Sequence, residues 1–524
     1  MRQIYSRAQE VLAFAGVCED RSEGLMKVIG TQRARTLASL KFIQGTSDRE
    51  KTLISFNSLH ADKTPDPKIQ ALEIRHLLDF AGYAQFFNEM YWKRAWVIQE
   101  ITVGPKVTVL YGDLEILWED MVVFGSLLKE SEIARQFHSF EFQEGEVWQG
   151  IDHLLVFRER YYVKRTPIGL LEALTLSRKA LATDPRDKIF SLLGLCPDGA
   201  TFVPVPNYRQ PLESIIADMS KAMMAWNKSL DMICLRGLSL RQSTTWIPTW
   251  APNWERIWMG GITVQEESLL KSQDIRNINP ILAGSTGLQL KVRGTLIGTV
   301  THLTSAMRPH SRDSKPLPPR APWIDSTATL AAKITELGSP SPDVSKFLLT
   351  IWKTLTMGLP IKETSDAQLE HSFSTLWTPL GRGLIHDLDL IEWIDRNAFF
   401  TIGKWTLREW SQTRRQQRLS KSNPDNISRT AHAIDVLGRV LGSGMRLACL
   451  DTRQYFIGMV HPDAEVGDTI FRLIGCKVPV ILRKGPTTSG NANHYMVIGS
   501  AHFDESLGLD TILAVTAIKD LTLC

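Results

Sequence analysis

The pattern of apolar residues changes period along this chain, and that change constrains the fold more than any other feature. Residues 346–440 read as mainly helical and residues 446–516 as mainly strand. Within the second stretch Gly467-Asp468 marks a hairpin turn, and Thr469–Ile474 and Val478–Arg483 flank another at Gly475. Such a chain is neither a coiled coil nor a collagen-like fibre. With 43% hydrophobic and 22% charged residues it is not a disordered chain either. Its 524 residues suggest about three domains and can bury large cores without disulfides.

Upstream the elements are shorter. Residues 1–15 place Ile4, Ala8, Val11 and Leu12 on one helical face. Residues 17–70 are polar and broken by Thr64-Pro65-Asp66-Pro67, and helical spacing returns from Ile69 to Met90. Lys106–Tyr111 reads as a strand, Gly112-Asp113 as a turn and Leu114–Leu117 as the partner strand, with a helix over Trp118–Leu128. A helix after Pro167 points Leu170, Leu171, Leu174 and Leu181 inward. Thr183-Asp184-Pro185 starts another that ends at Gly194. Pro211 opens a helix to Trp226, followed by a short strand over Asp231–Leu235. Trp246–Trp254, with two prolines, is irregular, and Leu288–Val300 reads as strands. Residues 305–345 are rich in Pro, Ser and charge and read as a linker or surface insertion. The β-rich end is expected to pack on the strands near residues 288–300, because short strands leave bare edges when alone.

Net charge is +4 and spread along the chain, which does not call for nucleic acid. No run of 18 apolar residues is present, so no membrane span is expected, and the start lacks the apolar core of a secretory signal. The six cysteines, Cys18, Cys196, Cys234, Cys449, Cys476 and Cys524, lie no closer than 27 residues apart. That excludes a CxxC motif and reads as isolated thiols in a reducing, cytoplasmic setting.

Several blocks carry a family resemblance. Tyr91-Trp-Lys-Arg-Ala-Trp-Val-Ile-Gln-Glu100, followed by Tyr111-Gly112 and Ile116-Leu117-Trp118, resembles the later half of a fungal heterokaryon-incompatibility (HET) domain. Ala182-Thr-Asp-Pro-Arg-Asp-Lys-Ile-Phe-Ser-Leu-Leu-Gly-Leu195 resembles the next block of that family. Pro206-Asn-Tyr208, Ile247–Trp254 and Gly467-Asp-Thr-Ile through Pro479–Arg483 resemble segments of the long C-terminal region in many such proteins. The Ser-Tyr-x-Trp-Gly-like and Ile-Asn-Gln-like blocks that usually open a HET domain are missing. The chain is therefore expected to be N-terminally truncated, without the first strands.

The resemblance implies an incomplete α/β, TIR-like part over residues 1–150 and a helical, Trp-rich region over 151–300. After the 301–345 linker it leaves a mixed α+β C-terminal region, with helices over 346–439 and a β-rich unit over 440–524. It implies non-self recognition and programmed cell death through a protein partner or self-association. Because some TIR domains cleave the nicotinamide–ribose bond of NAD, an NAD-glycohydrolase-like enzyme stays open, with NAD as substrate and no resident cofactor. An inactive truncated relic is the third reading.

Glu100 is the sharpest chemical candidate. Cleaving that bond builds positive charge on the ribose, which a placed carboxylate stabilises. Arg94 would neutralise a diphosphate, and Trp92 or Trp96 would stack on a flat ring. The simpler reading makes Arg94, Gln99 and Glu100 a buried polar network with Trp96 in the core. Asp184, Arg186 and Asp187 invite a phosphate or metal site. The simpler reading has Asp184 capping the helix and Asp187 pairing with an arginine. Cys449, His461 and His494 raise a cysteine hydrolase, against a buried structural cysteine. The basic run Lys404–Lys421 reads as a solvated helix face. Trp250, Trp254, Gly467 and Asp468 complete the signature positions.

Overall fold

A computed structural model describes residues 2–16, 89–111, 114–119, 122, 151–235, 247–254, 279–307, 342–359, 365–385, 387–403, 405–412, 424–452, 456–485, 494–504, 507 and 516–524. The chain mixes helices and sheets and divides into two compact units. One holds Met1–Gln210 with Trp254–Trp258, the other Pro211–Asn253 with Met259–Cys524.

In the first unit a helix α1 (Arg2–Arg7) leads into a strand β1 (Val11–Gly16). The helix expected over residues 1–15 therefore ends at Arg7. Val11 and Leu12 fit a helical face on paper, but Val11, Ala13 and Ala15 alternate inward while Leu12 and Phe14 face out, which is the period of a strand. Pairing with a distant segment decides the outcome. β1 runs parallel to β2 (Val107–Tyr111), with Val11 opposite Val107 and Phe14 opposite Leu110. β2 returns antiparallel as β3 (Leu114–Leu117), the expected partner.

Between β1 and β2 in the chain lies α2 (Val97–Val103), which packs on β1. Val97, Ile98, Gln99, Ile101, Thr102 and Val103 are all buried, and Glu100 alone in this helix is half-buried. The turn from α2 into β2 is tight. A Cβ on Gly104 would lie 2.8 Å from Val11 Cγ2 and 2.9 Å from the Glu100 carbonyl oxygen, so only glycine fits there. Arg158, at the end of α3 (Asp152–Arg158), closes that corner: its guanidinium donates to the Ile101 and Gly104 carbonyls at 2.6 and 2.8 Å. Of the helix expected after Trp118, only Trp118, Glu119 and Val122 lie within the described residues.

The helix after Pro167 is α4 (Leu170–Leu176). Leu170 and Leu174 point inward as expected, but Leu181 lies beyond the helix, half-buried, in a backbone bridge to Arg94. The next helix, α5 (Asp187–Leu193), buries Ile189, Phe190 and Leu192 and stops at Gly194.

The second unit opens with α6 (Leu212–Asn227). Asp231–Leu235 is not a strand. Asp231–Cys234 forms a 3-10 turn, its first N–H taken by the Ser229 hydroxyl at 3.0 Å. A long strand β4 (Leu290–Leu303) follows. Residues 308–341, most of the expected linker, lie outside the described residues. Helices α7 (Pro342–Leu355), α8 (Asp366–Thr375), α9 (Leu388–Asn397) and α10 (Pro424–Gly442) then supply a core of Trp352, Phe373, Trp393, Leu437 and Leu441. A small hairpin, β5 (Thr401–Ile402) with β6 (Trp405–Thr406), interrupts them. The basic run is described only over residues 405–412.

The last strands are β7 (Arg446–Leu450), β8 (Ile457–Val460), β9 (Thr469–Leu473), β10 (Val480–Lys484), β11 (His494–His502) and β12 (Ile518–Leu523). β4 pairs along its length with β12, β9 and β7 in turn, so it joins the C-terminal strands in one sheet. The order is β10-β9-β4-β12-β11-β8-β7, and β10 also meets β11 while β4 meets β7. The sheet thereby curls onto itself and covers most of its edges. Period-two alternation sorts its side chains. Leu447, Ile457 and Met459 join the helical core, while Ala448, Leu450 and Val460 join Ile297, Ile470 and Ile481 inside the curl.

Candidate functional site

The Tyr91–Glu100 block folds as a 3-10 turn over Met90–Lys93, an extended link at Arg94, and α2. Trp92 is fully buried against Trp118, ring centroids 5.7 Å apart. Trp96, expected in the core, is half-buried; Trp92 takes that place. The extended link is held by the residues just before the Asp184 block. The Ala95 N–H donates to the Leu181 carbonyl at 2.8 Å, and the Leu181 N–H donates to the Lys93 carbonyl at 2.5 Å. Farther along, the Gln99 side chain donates to the Ser191 carbonyl on α5. The Gln99 Oε1 and the Ser191 hydroxyl, both buried, have no hydrogen-bond partner among the described residues. Two blocks nearly a hundred residues apart in sequence are thus joined by main-chain and side-chain bonds.

Glu100 does not join Arg94 and Gln99 in a buried network. Arg94 is exposed and Gln99 points to α5. Glu100 is gripped instead by two tyrosines, Tyr91 at the start of the same block and Tyr5, which the sequence did not single out. Tyr91 donates its hydroxyl to Oε2 at 2.9 Å, and Tyr5 of α1 donates to Oε1 at 3.3 Å. Burial first, and the Glu100 charge second, push the Tyr5 phenol up to about 12; Tyr91, deeper, is pushed higher still by the same causes. The Arg94 charge opposes both shifts, which places it within electrostatic reach of the pair. The result is a half-buried carboxylate, oriented by two hydroxyls, with an exposed guanidinium within electrostatic reach of those hydroxyls. Tyr5 could not be read from spacing, since it stands 95 residues from Glu100.

Asp184 does not take the expected capping position: the N-cap of α5 is Arg186, without a side-chain cap bond, and Asp184 sits two residues earlier, where its carboxylate accepts the Arg186 N–H at 3.0 Å in the turn that leads into the helix. Its carboxylate also takes the Arg186 guanidinium in a fork, at 2.9 Å from Nε and 2.7 Å from the terminal nitrogen. Arg186 holds the Asp184 carboxyl below its ordinary pKa. Asp187 does not pair with an arginine: it accepts the Tyr208 hydroxyl at 2.5 Å. Arg186 also donates to the Tyr208 carbonyl, and Tyr208 meets Phe190 edge-on at 5.0 Å. The Pro206-Asn-Tyr208 block is therefore a clasp over the start of α5.

Gly467 turns the chain at φ +96°, a conformation that favours glycine. Asp468, 2% exposed, takes the Arg483 guanidinium bidentately at 2.8 and 2.9 Å and the Glu465 N–H at 2.8 Å. This signature pair locks the β9–β10 hairpin. Trp250 is fully buried and donates its indole N–H to the Leu288 carbonyl at 2.9 Å. Trp254 is buried in the first unit.

The cysteine hydrolase is not supported. Burial pushes the Cys449 thiol up to about 12, and its sulfur faces the Thr401 carbonyl at 3.6 Å. His461 accepts the Asp463 N–H, and His494 opens β11. Among the described residues no group of three His, Cys, Asp or Glu is placed to hold a metal, and no helix is long and apolar enough to cross a membrane. Comparison of the chain with protein families, curated proteins and solved structures finds no match.

Proposed function

We propose that this chain is a heterokaryon-incompatibility-type signalling protein that acts in fungal non-self recognition and programmed cell death. The observation that carries the reading is the joining of the Tyr91–Glu100 and Ala182–Leu195 blocks through Lys93, Ala95 and Leu181, and through Gln99 and Ser191. Blocks that resemble one family and sit far apart in sequence serve one compact unit. The parallel pair β1–β2, with α2 leading into β2, supports a TIR-like sheet for residues 1–150. The protein acts in the cytoplasm by docking with a protein partner or with itself.

A second reading, an NAD-glycohydrolase-like enzyme, is favoured by Glu100. It is the one half-buried side chain of α2, it is oriented by Tyr5 and Tyr91, and exposed Arg94 lies within electrostatic reach of those two tyrosines. NAD is the substrate in this reading, and no cofactor is needed. Glu100 would stabilise the ribosyl cation as nicotinamide leaves, and Arg94 would face the diphosphate. Incubation of the purified chain with NAD separates the two readings. Nicotinamide release that is lost in Glu100→Gln supports the enzyme. No release at any protein concentration, alongside cell death on expression, supports signalling without catalysis.

A further inference from the structure

Two of the six thiols are not isolated. Cys234 and Cys476, 242 residues apart in sequence, lie with their sulfurs 3.8 Å apart inside the second unit. Cys234 ends the 3-10 turn Asp231–Cys234, and Cys476 follows the hairpin turn at Gly475. The two segments are fastened on both sides of Cys476. The Leu230 N–H donates to the Gly475 carbonyl at 2.8 Å, and the Lys477 N–H donates to Asp231 Oδ1 at 2.7 Å. The Lys477 ammonium adds a contact to the same carboxylate at 3.4 Å. Cys234 is 4% exposed and Cys476 fully buried.

We propose that Cys234 and Cys476 form a modification site, a reversible disulfide made by a small peroxide. The thiolate of one cysteine attacks the peroxide, whose O–O bond breaks; the sulfur becomes a sulfenic acid and the departing oxygen leaves as water. The second thiol then displaces the hydroxyl as a second water, and the S–S bond forms. Sulfur is oxidised by two electrons and the peroxide reduced by two. The sulfurs need to close by about 1.8 Å, within the reach of two χ1 rotations on backbones already held together. Burial excludes bulky thiols, so the sulfenic acid meets its neighbour before it meets glutathione. Among the described residues no such sulfur neighbour is seen for Cys196 or Cys449, so neither has a thiol placed to resolve a sulfenic acid. The cross-link constrains the unfolded chain over a long loop and raises the unfolding temperature of the second unit by about 5 °C.

The test uses the full chain, treated with hydrogen peroxide from equimolar to a large excess, then unfolded, alkylated and digested. Mass spectrometry is expected to find a Cys234–Cys476 linked peptide that dithiothreitol reverses, and calorimetry a rise in unfolding temperature that Cys476→Ala abolishes. The linked peptide is read in the unaltered chain, so the result stands even if Cys476→Ala folds poorly. Separate alkylation of Cys234 and Cys476 after peroxide, or a sulfinic acid at either one without the link, overturns the proposal.

Discussion

The hydroxyl of Tyr91 lies 2.9 Å from Glu100 Oε2, while Tyr5 approaches the other oxygen of the same carboxylate. Three segments of the first unit, α1, the 3-10 turn and α2, therefore meet on one side chain. Tyr91→Phe removes a bond to a carboxylate from a mostly buried site and is expected to cost about 1–2 kcal/mol. Tyr5→Phe, in a more open place, is expected to cost less. The urea midpoint of the first unit reads both; a Tyr91→Phe protein as stable as the parent would show that the grip carries no weight.

The same contact sets a pH dependence. The Tyr5 phenol stands at about 12 rather than 10, through burial first and then the Glu100 charge. An acid whose pKa rises on folding holds its proton more tightly in the folded state. Its contribution is complete below pH 10 and is lost as pH climbs from 10 towards 12. Glu100→Gln removes the charge that helps raise it, so Tyr5 is expected to titrate at lower pH. Ultraviolet titration of tyrosinate absorbance, with Tyr5→Phe to assign the signal, checks the direction.

In the second unit, the Asp468 fork on Arg483 sits in a buried turn. Asp468→Asn leaves the guanidinium with half its partner and is expected to cost about 2–3 kcal/mol. Chemical unfolding monitored by tryptophan fluorescence measures it. A loss under about 0.5 kcal/mol would mean that the hairpin holds without the pair.

Gly104→Ala tests the corner between α2 and β2. The new methyl would meet the Glu100 carbonyl, a backbone atom that cannot swing aside, as well as Val11. The expected cost is about 1–3 kcal/mol, seen as a lower unfolding temperature of the first unit.

Much of this architecture was legible because it is local. The hairpin β2–β3 is written in two apolar runs around Gly112-Asp113, α6 begins after Pro211, and the strands after residue 446 follow their turns. The misreadings have a common cause. Val11–Gly16 shows a helical face until Val107 pairs with it, and Asp231–Leu235 looks like a strand until Gly475 and Lys477 fasten it as a turn. Leu181 continues the helical spacing of Leu170 and Leu174 in sequence, and nothing in its neighbourhood shows the bridge to Arg94. The site divides the same way. Glu100, Asp184 and Asp468 stood out as charges inside apolar or turn sequences. Tyr5, Tyr208 and Arg483, which meet Glu100, Asp187 and Asp468, could not be matched to those carboxylates from sequence, because each contact closes only after folding.

The most direct measurement is inducible expression of the chain in a filamentous fungus, with viability scored at matched protein levels for the parent, for Glu100→Gln and for Gly104→Ala. The account predicts cell death from the parent, and weaker killing by Gly104→Ala, whose damaged corner disturbs the α2 region. Glu100→Gln reports whether the carboxylate takes part or merely braces the fold. Normal growth of cells that hold folded parent protein would contradict the cell-death assignment.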